Sequence, residues 1–131
     1  MQAPSPFLAA ENLACRRGER LLFRRLSFRL EAGAACHVTG ANGAGKTTLI
    51  QALAGLTRPY AGEVRREGAL ALDEPLSGLD TASQDLVSAL VREHCAGGGI
   101  ALIASHQPLD VPGMTSFAIE DFAPAEEDAE A

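Results

Sequence analysis

Only eleven of the 131 residues are lysine or arginine, and none of them follows Arg92. The formal net charge of −6 comes mostly from the far end, where Glu120, Asp121, Glu126, Glu127, Asp128 and Glu130 crowd the last stretch. Without that end the chain is near neutral, so no broad basic surface is implied and nucleic acid is not expected as a partner. Arg16, Arg17, Arg20, Arg24, Arg25 and Arg29 do cluster, and they read as a solvated strand-and-turn face. Three cysteines, Cys15, Cys36 and Cys95, are odd in number and lack metal-type spacing to the three histidines. That argues against a disulfide framework, a zinc site or a metal cluster, and for reduced, mostly buried thiols. No apolar run approaches the ~18 residues of a membrane span, and the start lacks a charged stretch followed by an apolar one. A cytoplasmic chain is expected.

What is present is enough hydrophobic residue, 47% of the chain, for one compact domain and not for two. That domain is expected over residues 1–120, followed by an acidic, disordered tail over 121–131. Phe7 to Leu13 and Leu26 to Leu30 read as an antiparallel pair of strands around the polar turn Arg16 to Arg20. Further strands are expected at Ala34 to Val38, Glu63 to Arg65, Ala69 to Leu72, Ile100 to Ala104 and Phe117 to Ile119. Asp80 is a good N-cap for a helix from Thr81 to about His94, with Ala82, Leu86, Ala89 and Leu90 sharing the face expected to pack on the core.

Lys46, the chain's one lysine, lies in Gly40-Ala41-Asn42-Gly43-Ala44-Gly45-Lys46-Thr47-Thr48. This fits G-x-x-x-x-G-K-[ST] between an apolar strand and a helix, the context of a phosphate-binding loop. Nucleotide phosphates need several backbone N–H groups converging at once, and glycines let the backbone approach. The backbone and side chains of Asn42, Gly43, Ala44, Gly45, Lys46, Thr47 and Thr48 are the candidates to hold a nucleotide's phosphates. Lys46 supplies a point charge, Thr47 a hydroxyl for Mg²⁺, and the helix its positive end.

A loop of this kind needs a carboxylate delivered by a neighbouring strand. Ala69-Leu70-Ala71-Leu72 ends in Asp73-Glu74, so Asp73 is the candidate metal ligand, with Thr47, and Glu74 the candidate general base. His106 follows the next apolar strand and is the candidate partner at the γ-phosphate or the attacking water. His37 and His94 have no such context and are assigned to structure. The alternation of strands and helices predicts an α/β fold: a P-loop NTPase core with a mostly parallel sheet, plus an N-terminal antiparallel β portion.

These residues resemble the ATP-binding subunit of ABC transporters. Gly40 to Thr48 is similar to its Walker A motif, Leu70 to Glu74 to Walker B, Ser77-Gly78-Leu79-Asp80 to the D-loop, and Ser105-His106 to the switch-histidine loop. Leu22-Phe23, Leu26-Ser27-Phe28, Thr39 to Asn42 and Ser105 to Leu109 look most like the haem-export subunit of cytochrome c maturation. The resemblance implies ATP and Mg²⁺ as cofactors and ATP hydrolysis driving export. It also implies a second ATP-binding subunit and a membrane-spanning permease as partners, at the cytoplasmic face of the inner membrane.

One departure is large. Only 26 residues separate Lys46 from Asp73, and Glu67-Gly68 runs straight into Ala69, where the family carries the Q-loop, a helical subdomain and the signature motif. None of Gln2, Gln51, Gln84 and Gln107 sits where the Q-loop glutamine belongs, and the adenine-stacking aromatic is replaced by Cys15-Arg16-Arg17. Two readings follow: a transport ATPase subunit impaired by the missing signature, or a nucleotide-binding module without turnover. A small kinase or GTPase ranks last, since guanine recognition by N-K-x-D would need a second lysine.

Overall fold

The computed structural model describes residues 5–41 and 43–124. Its first two strands, β1 (Phe7–Arg17) and β2 (Arg20–Glu31), form an antiparallel hairpin with Gly18-Glu19 at the tip. They are longer than the expected pair because Cys15, Leu22 and Phe23 are themselves buried and extend the pairing to the turn. Along β1 the buried positions step by two from Leu8 to Ala10, then by three to Leu13; along β2 they step by three from Phe23 to Leu26. Each strand holds a left-handed residue in that interval, Asn12 (φ 51°) and Arg25 (φ 57°), and the register shifts there. These bulges keep the apolar side chains on one face after the extra residue.

A second, four-stranded sheet contains β3 (Ala35–Thr39), β5 (Ala69–Asp73), β6 (Ile100–Ala104) and β7 (Thr115–Ala118), all parallel, in the order β5-β6-β3-β7. β4 (Ala61–Glu67) instead joins the hairpin, giving β2-β1-β4. Gly68 alone links β4 in one sheet to β5 in the other. The expected mostly parallel sheet with an antiparallel portion is therefore what forms.

Every residue of β6 is fully buried, as a central parallel strand requires. Ile100, Leu102 and Ala104 face a core shared with α1 (Lys46–Leu53) and the hairpin, through Leu49, Leu53, Phe23 and Leu26. Ala101 and Ile103 face the other side, with Leu76, Leu109 and Val91 of α2 (Thr81–Ala96). Each leucine, isoleucine or valine among them contributes about 1.5–3 kcal/mol on full burial.

α2 starts where expected, with the Asp80 carboxylate accepting from the Ser83 N–H at 2.8 Å. Its buried face differs from the expected one. Ser88 and Val91 are buried, with Val87 and Cys95 packed alongside, while Leu86 and Leu90 are 61% and 56% exposed. The helix turns its valines to Ala101 and Ile103, and beyond the edge strand β5 no described element lies under the leucines.

After β7 the chain makes a short 3-10 helix, Ile119–Phe122. Ile119 is fully buried, and Phe117 bridges Phe28 and Phe122 with ring centroids 5.8 and 5.7 Å away. Asp121 and Phe122, expected to open the tail, thus complete a packed turn. The rest of that expected tail, from residue 125, lies outside the described residues.

Candidate functional site

The C-terminal ends of β3, β5 and β6 converge, and each delivers one part of the site. From β3 the chain enters the glycine loop, where Gly40 (φ 150°), Gly43 (φ 85°) and Gly45 (φ 114°) all take conformations that disfavour a side chain. At Gly40 space is also limiting: a Cβ would come within 2.7 Å of Ile119 and Glu120 side-chain atoms. The Ala44 N–H tightens the loop onto the Ala41 carbonyl at 3.1 Å. α1 then begins at Lys46 with no acidic residue in its first turn, so its leading amides and dipole favour an anion. Asn42, the remaining predicted loop residue, lies outside the described residues.

Lys46 is buried although charged, at 5% exposure. Its ammonium donates to the Gly40 carbonyl at 2.7 Å and stands 3.4 Å from Glu74 Oε1. On the other carboxylate oxygen, Glu74 Oε2, the His106 ring nitrogen Nδ1 lies at 3.0 Å. Lys46, Glu74 and His106 therefore form one continuous chain of polar contacts across three strand ends. Partial burial pushes the Glu74 carboxyl up, but hydrogen bonds from His106 and Lys46, and then their charges, outweigh it and hold the pKa below the ordinary value. Glu74 stays an anion, as a proton acceptor must.

Backbone geometry fixes that carboxylate. Glu74 is a left-handed residue (φ 50°) whose N–H donates to the Ala104 carbonyl at 2.6 Å; β5 ends there and the side chain turns over the end of β6 toward Lys46. Residues held in this region are worth about 1–3 kcal/mol of strain and persist where surroundings dictate them. His106 is placed by its neighbour: the fully buried Ser105 exchanges hydrogen bonds of 3.0 Å with both the N–H and the carbonyl of Gln107.

Thr47 and Asp73 are exposed at the same edge, Thr47 in the first turn of α1 and Asp73 at the last position of β5; Thr48 is half-buried behind. A hydroxyl and a carboxylate are the hard oxygen donors that suit Mg²⁺. His37 and His94, assigned to structure, donate from their ring Nε2 to the backbone carbonyls of Ser105 (2.7 Å) and Ile100 (3.2 Å). The three cysteines are free, Cys15 and Cys36 buried and Cys95 partly so.

Two contacts were beyond sequence reasoning. Glu120 accepts from the Ala41 N–H at 3.1 Å, 79 residues away along the chain, so a carboxylate sits at the base of the loop. Arg16, in the stretch that replaces the adenine-stacking aromatic, lies 4.4 Å over the Tyr60 ring, beside Gly18, Arg58 and Pro59 in a cleft of about 390 Å³.

Comparison with known proteins matches residues 23–109 to the ABC transporter family. The cytochrome c biogenesis ATP-binding export protein CcmA of Novosphingobium aromaticivorans is 33% identical over an alignment covering 89% of this chain and 97% of that protein. That alignment spans 186 positions, 55 more than the 131 residues here, so at least 55 of them face no residue of this chain. CcmA of Hyphomonas neptunium is 57% identical over 65 residues, half of this chain and 34% of that one. Among solved structures, an ATP-binding cassette of an ABC transporter in its ADP conformation superposes with a TM-score of 0.70 at 14% identity, covering 80% of this chain and 83% of that one. No described helix is long and apolar enough to cross a membrane. Loop, carboxylate and histidine in one polar chain, on this fold and with these relatives, place the protein in the ABC transporter family, as an ATP-binding subunit similar to CcmA.

Proposed function

We propose that the chain binds Mg·ATP in the loop between β3 and α1 and hydrolyses it, serving an exporter of cytochrome c biogenesis as CcmA does by name. The contact chain Lys46–Glu74–His106 carries this reading. Phosphate entering at the start of α1 draws the Lys46 ammonium from the Gly40 carbonyl and from Glu74 to its own oxygens. Glu74, relieved of one cation, becomes the more basic, and accepts the proton of an attacking water while His106 holds its second oxygen. Thr47 and Asp73 would hold Mg²⁺, which supplies charge neutralisation at the phosphate oxygens.

Turnover by this chain alone is slow in the same proposal. Gly68 occupies the place of the segment expected to carry the signature motif, so the charge developing on the transferred phosphoryl group lacks donors. One missing oriented donor costs about 10²–10³ in rate. A permease, a second ATP-binding subunit carrying the signature, and a place on the cytoplasmic face of the inner membrane complete the proposal.

A Mg·ATP titration of the purified chain, followed by phosphate release from wild type and Glu74→Gln, tests it. Saturable binding by both proteins, with slow phosphate release by the wild type that is abolished in the variant, is expected. Absence of binding by a folded wild type sinks the assignment of the loop. Insertion of the relatives' extra segment between Gly68 and Ala69 should raise the rate.

A further inference from the structure

β5 is an open edge: among the described residues it pairs only with β6. Exposed edges are ordinarily blunted by lysine, proline or a bulge. β5, Ala69-Leu70-Ala71-Leu72-Asp73, carries none of these before its terminal aspartate. Ala69 and Ala71 pack toward the core under α1. Leu70 and Leu72 point the other way and, with Pro75, Val87, Leu90 and Val91, line an apolar groove of about 310 Å³. Leu86 extends the apolar surface along α2, and Leu70 is itself 37% exposed.

We infer that this edge is an interface between two copies of the chain, whose β5 strands pair antiparallel about a twofold axis at Ala71. The strand's own composition sets that register. An axis at Ala71 puts Leu70 opposite Leu72 of the second copy and Asp73 opposite Ala69 of the second copy, so all five residues pair and the two carboxylates lie at opposite ends. An axis at Leu70 brings Asp73 against Glu67 of the second copy, and like charges directly opposite are unfavourable. An axis at Leu72 calls on Glu74, whose left-handed backbone (φ 50°) has already left the strand. A strand apolar when read in either direction, with no basic residue in its groove to select an acidic segment, is self-complementary in the sense a twofold interface needs. The leucines of both strands then form one strip flanked by Leu86 and Leu90 of both copies, and two four-stranded sheets become one of eight.

The paired strands run in opposite directions, so the two Lys46–Glu74–His106 sites lie at opposite ends of the joined sheet and share no ligand. Assembly is therefore independent of nucleotide, and of whether the chain hydrolyses ATP. Two five-residue strands make an interface smaller than the standard ~1,600 Å², which places the dimer in the weak, transient class.

Sedimentation velocity of the full chain from about 1 to 200 µM, with and without Mg·ATP, reads this out against that affinity class. Wild type should dimerise equally in both conditions. Leu86→Glu with Leu90→Glu, at positions exposed in the monomer, should weaken dimerisation at least about tenfold, or 1.4 kcal/mol. Directly opposed residues of antiparallel strands have Cα atoms about 4.5–5.5 Å apart, within disulfide range. Ala71→Cys in a Cys95→Ser background should accordingly cross-link on mild oxidation, and not when Leu90→Glu is added. A wild type monomeric throughout overturns the inference. So does a dimer that survives the double glutamate variant, or one that needs Mg·ATP and disappears in Lys46→Ala. Should Ala71→Cys fail to fold, the exposed glutamate pair decides alone.

Discussion

Replacing Lys46 by alanine separates two roles that one ammonium holds in the structure. It is buried, donating to the Gly40 carbonyl at 2.7 Å and standing 3.4 Å from Glu74, so part of what it offers a phosphate is first withdrawn from these two. A hydrogen bond to a charged group contributes about 1.5–3 kcal/mol, or roughly 10- to 150-fold in affinity at 1.4 kcal/mol per decade. The exchange of partners moves the expected loss for Mg·ATP toward the lower part of that range. Calorimetric titration suits the measurement, because the chain has no tryptophan to report binding. Stability supplies an internal check with a defined sign. Glu74 has its folded pKa depressed, so its contribution is present above the ordinary carboxyl value of about 4.5 and is lost as pH falls through the folded one. Lys46→Ala removes one of the two cations responsible, so the variant should lose less stability than wild type on acidification from about pH 5 to 3. Affinity for Mg·ATP within twofold of wild type, in a folded variant, would refute the placement of the phosphates at Lys46.

Glu74→Gln should keep Mg·ATP binding close to wild type while abolishing phosphate release, and His106→Ala should lower the rate with binding retained; both follow from single-turnover assays. Phe23→Ala removes a fully buried ring from the core beneath α1 and should destabilise by about 3–5 kcal/mol in denaturant melts, enough to cost nucleotide binding as well. Burial, opposed by a hydrogen bond at the Tyr60 backbone, pushes the Cys15 thiol up to about 11. Under native conditions near pH 8 Cys15 should therefore resist alkylation, with the less buried Cys95 modified first; mass spectrometry of the labelled chain distinguishes the two.

Much of this could be read from the chain because its signals are local. The glycine loop, the apolar strand running into Asp73-Glu74, and Asp80 as N-cap each depend on neighbours in sequence, and each forms where the residues point. The misjudged features are those decided by distant packing. Helical spacing makes Ala82, Leu86, Ala89 and Leu90 one face, and Gln84, Val87, Val91 and Cys95 nearly as good a one. Which face turns inward is settled by Ala101 and Ile103 on β6, and the larger leucines lose. The strands run on to Cys15 and Leu22, past the ends that alternation marks, because the bulges at Asn12 and Arg25 break the period of two. Glu120, the last residue before the expected acidic tail, carries no local signal of a role; only β7, returning beside β3, brings it to the Ala41 amide.

The site spans three strand ends, and β6 stands between β3, which leads through the glycine loop to Lys46, and β5, which ends just before Glu74. Its contacts close long stretches of chain, 32 residues between Glu74 and His106 and 68 between His37 and Ser105. Contacts of that separation are slow to form, because loop closure must precede any gain from the pairing. α1 and the β1–β2 hairpin can assemble from nearby residues, whereas the histidine arrives only once β6 has docked beside β3, and the glutamate once β5 has docked beside β6. In a refolding experiment, nucleotide binding should lag behind secondary structure, making the ligand a reporter on the last step by which this chain folds.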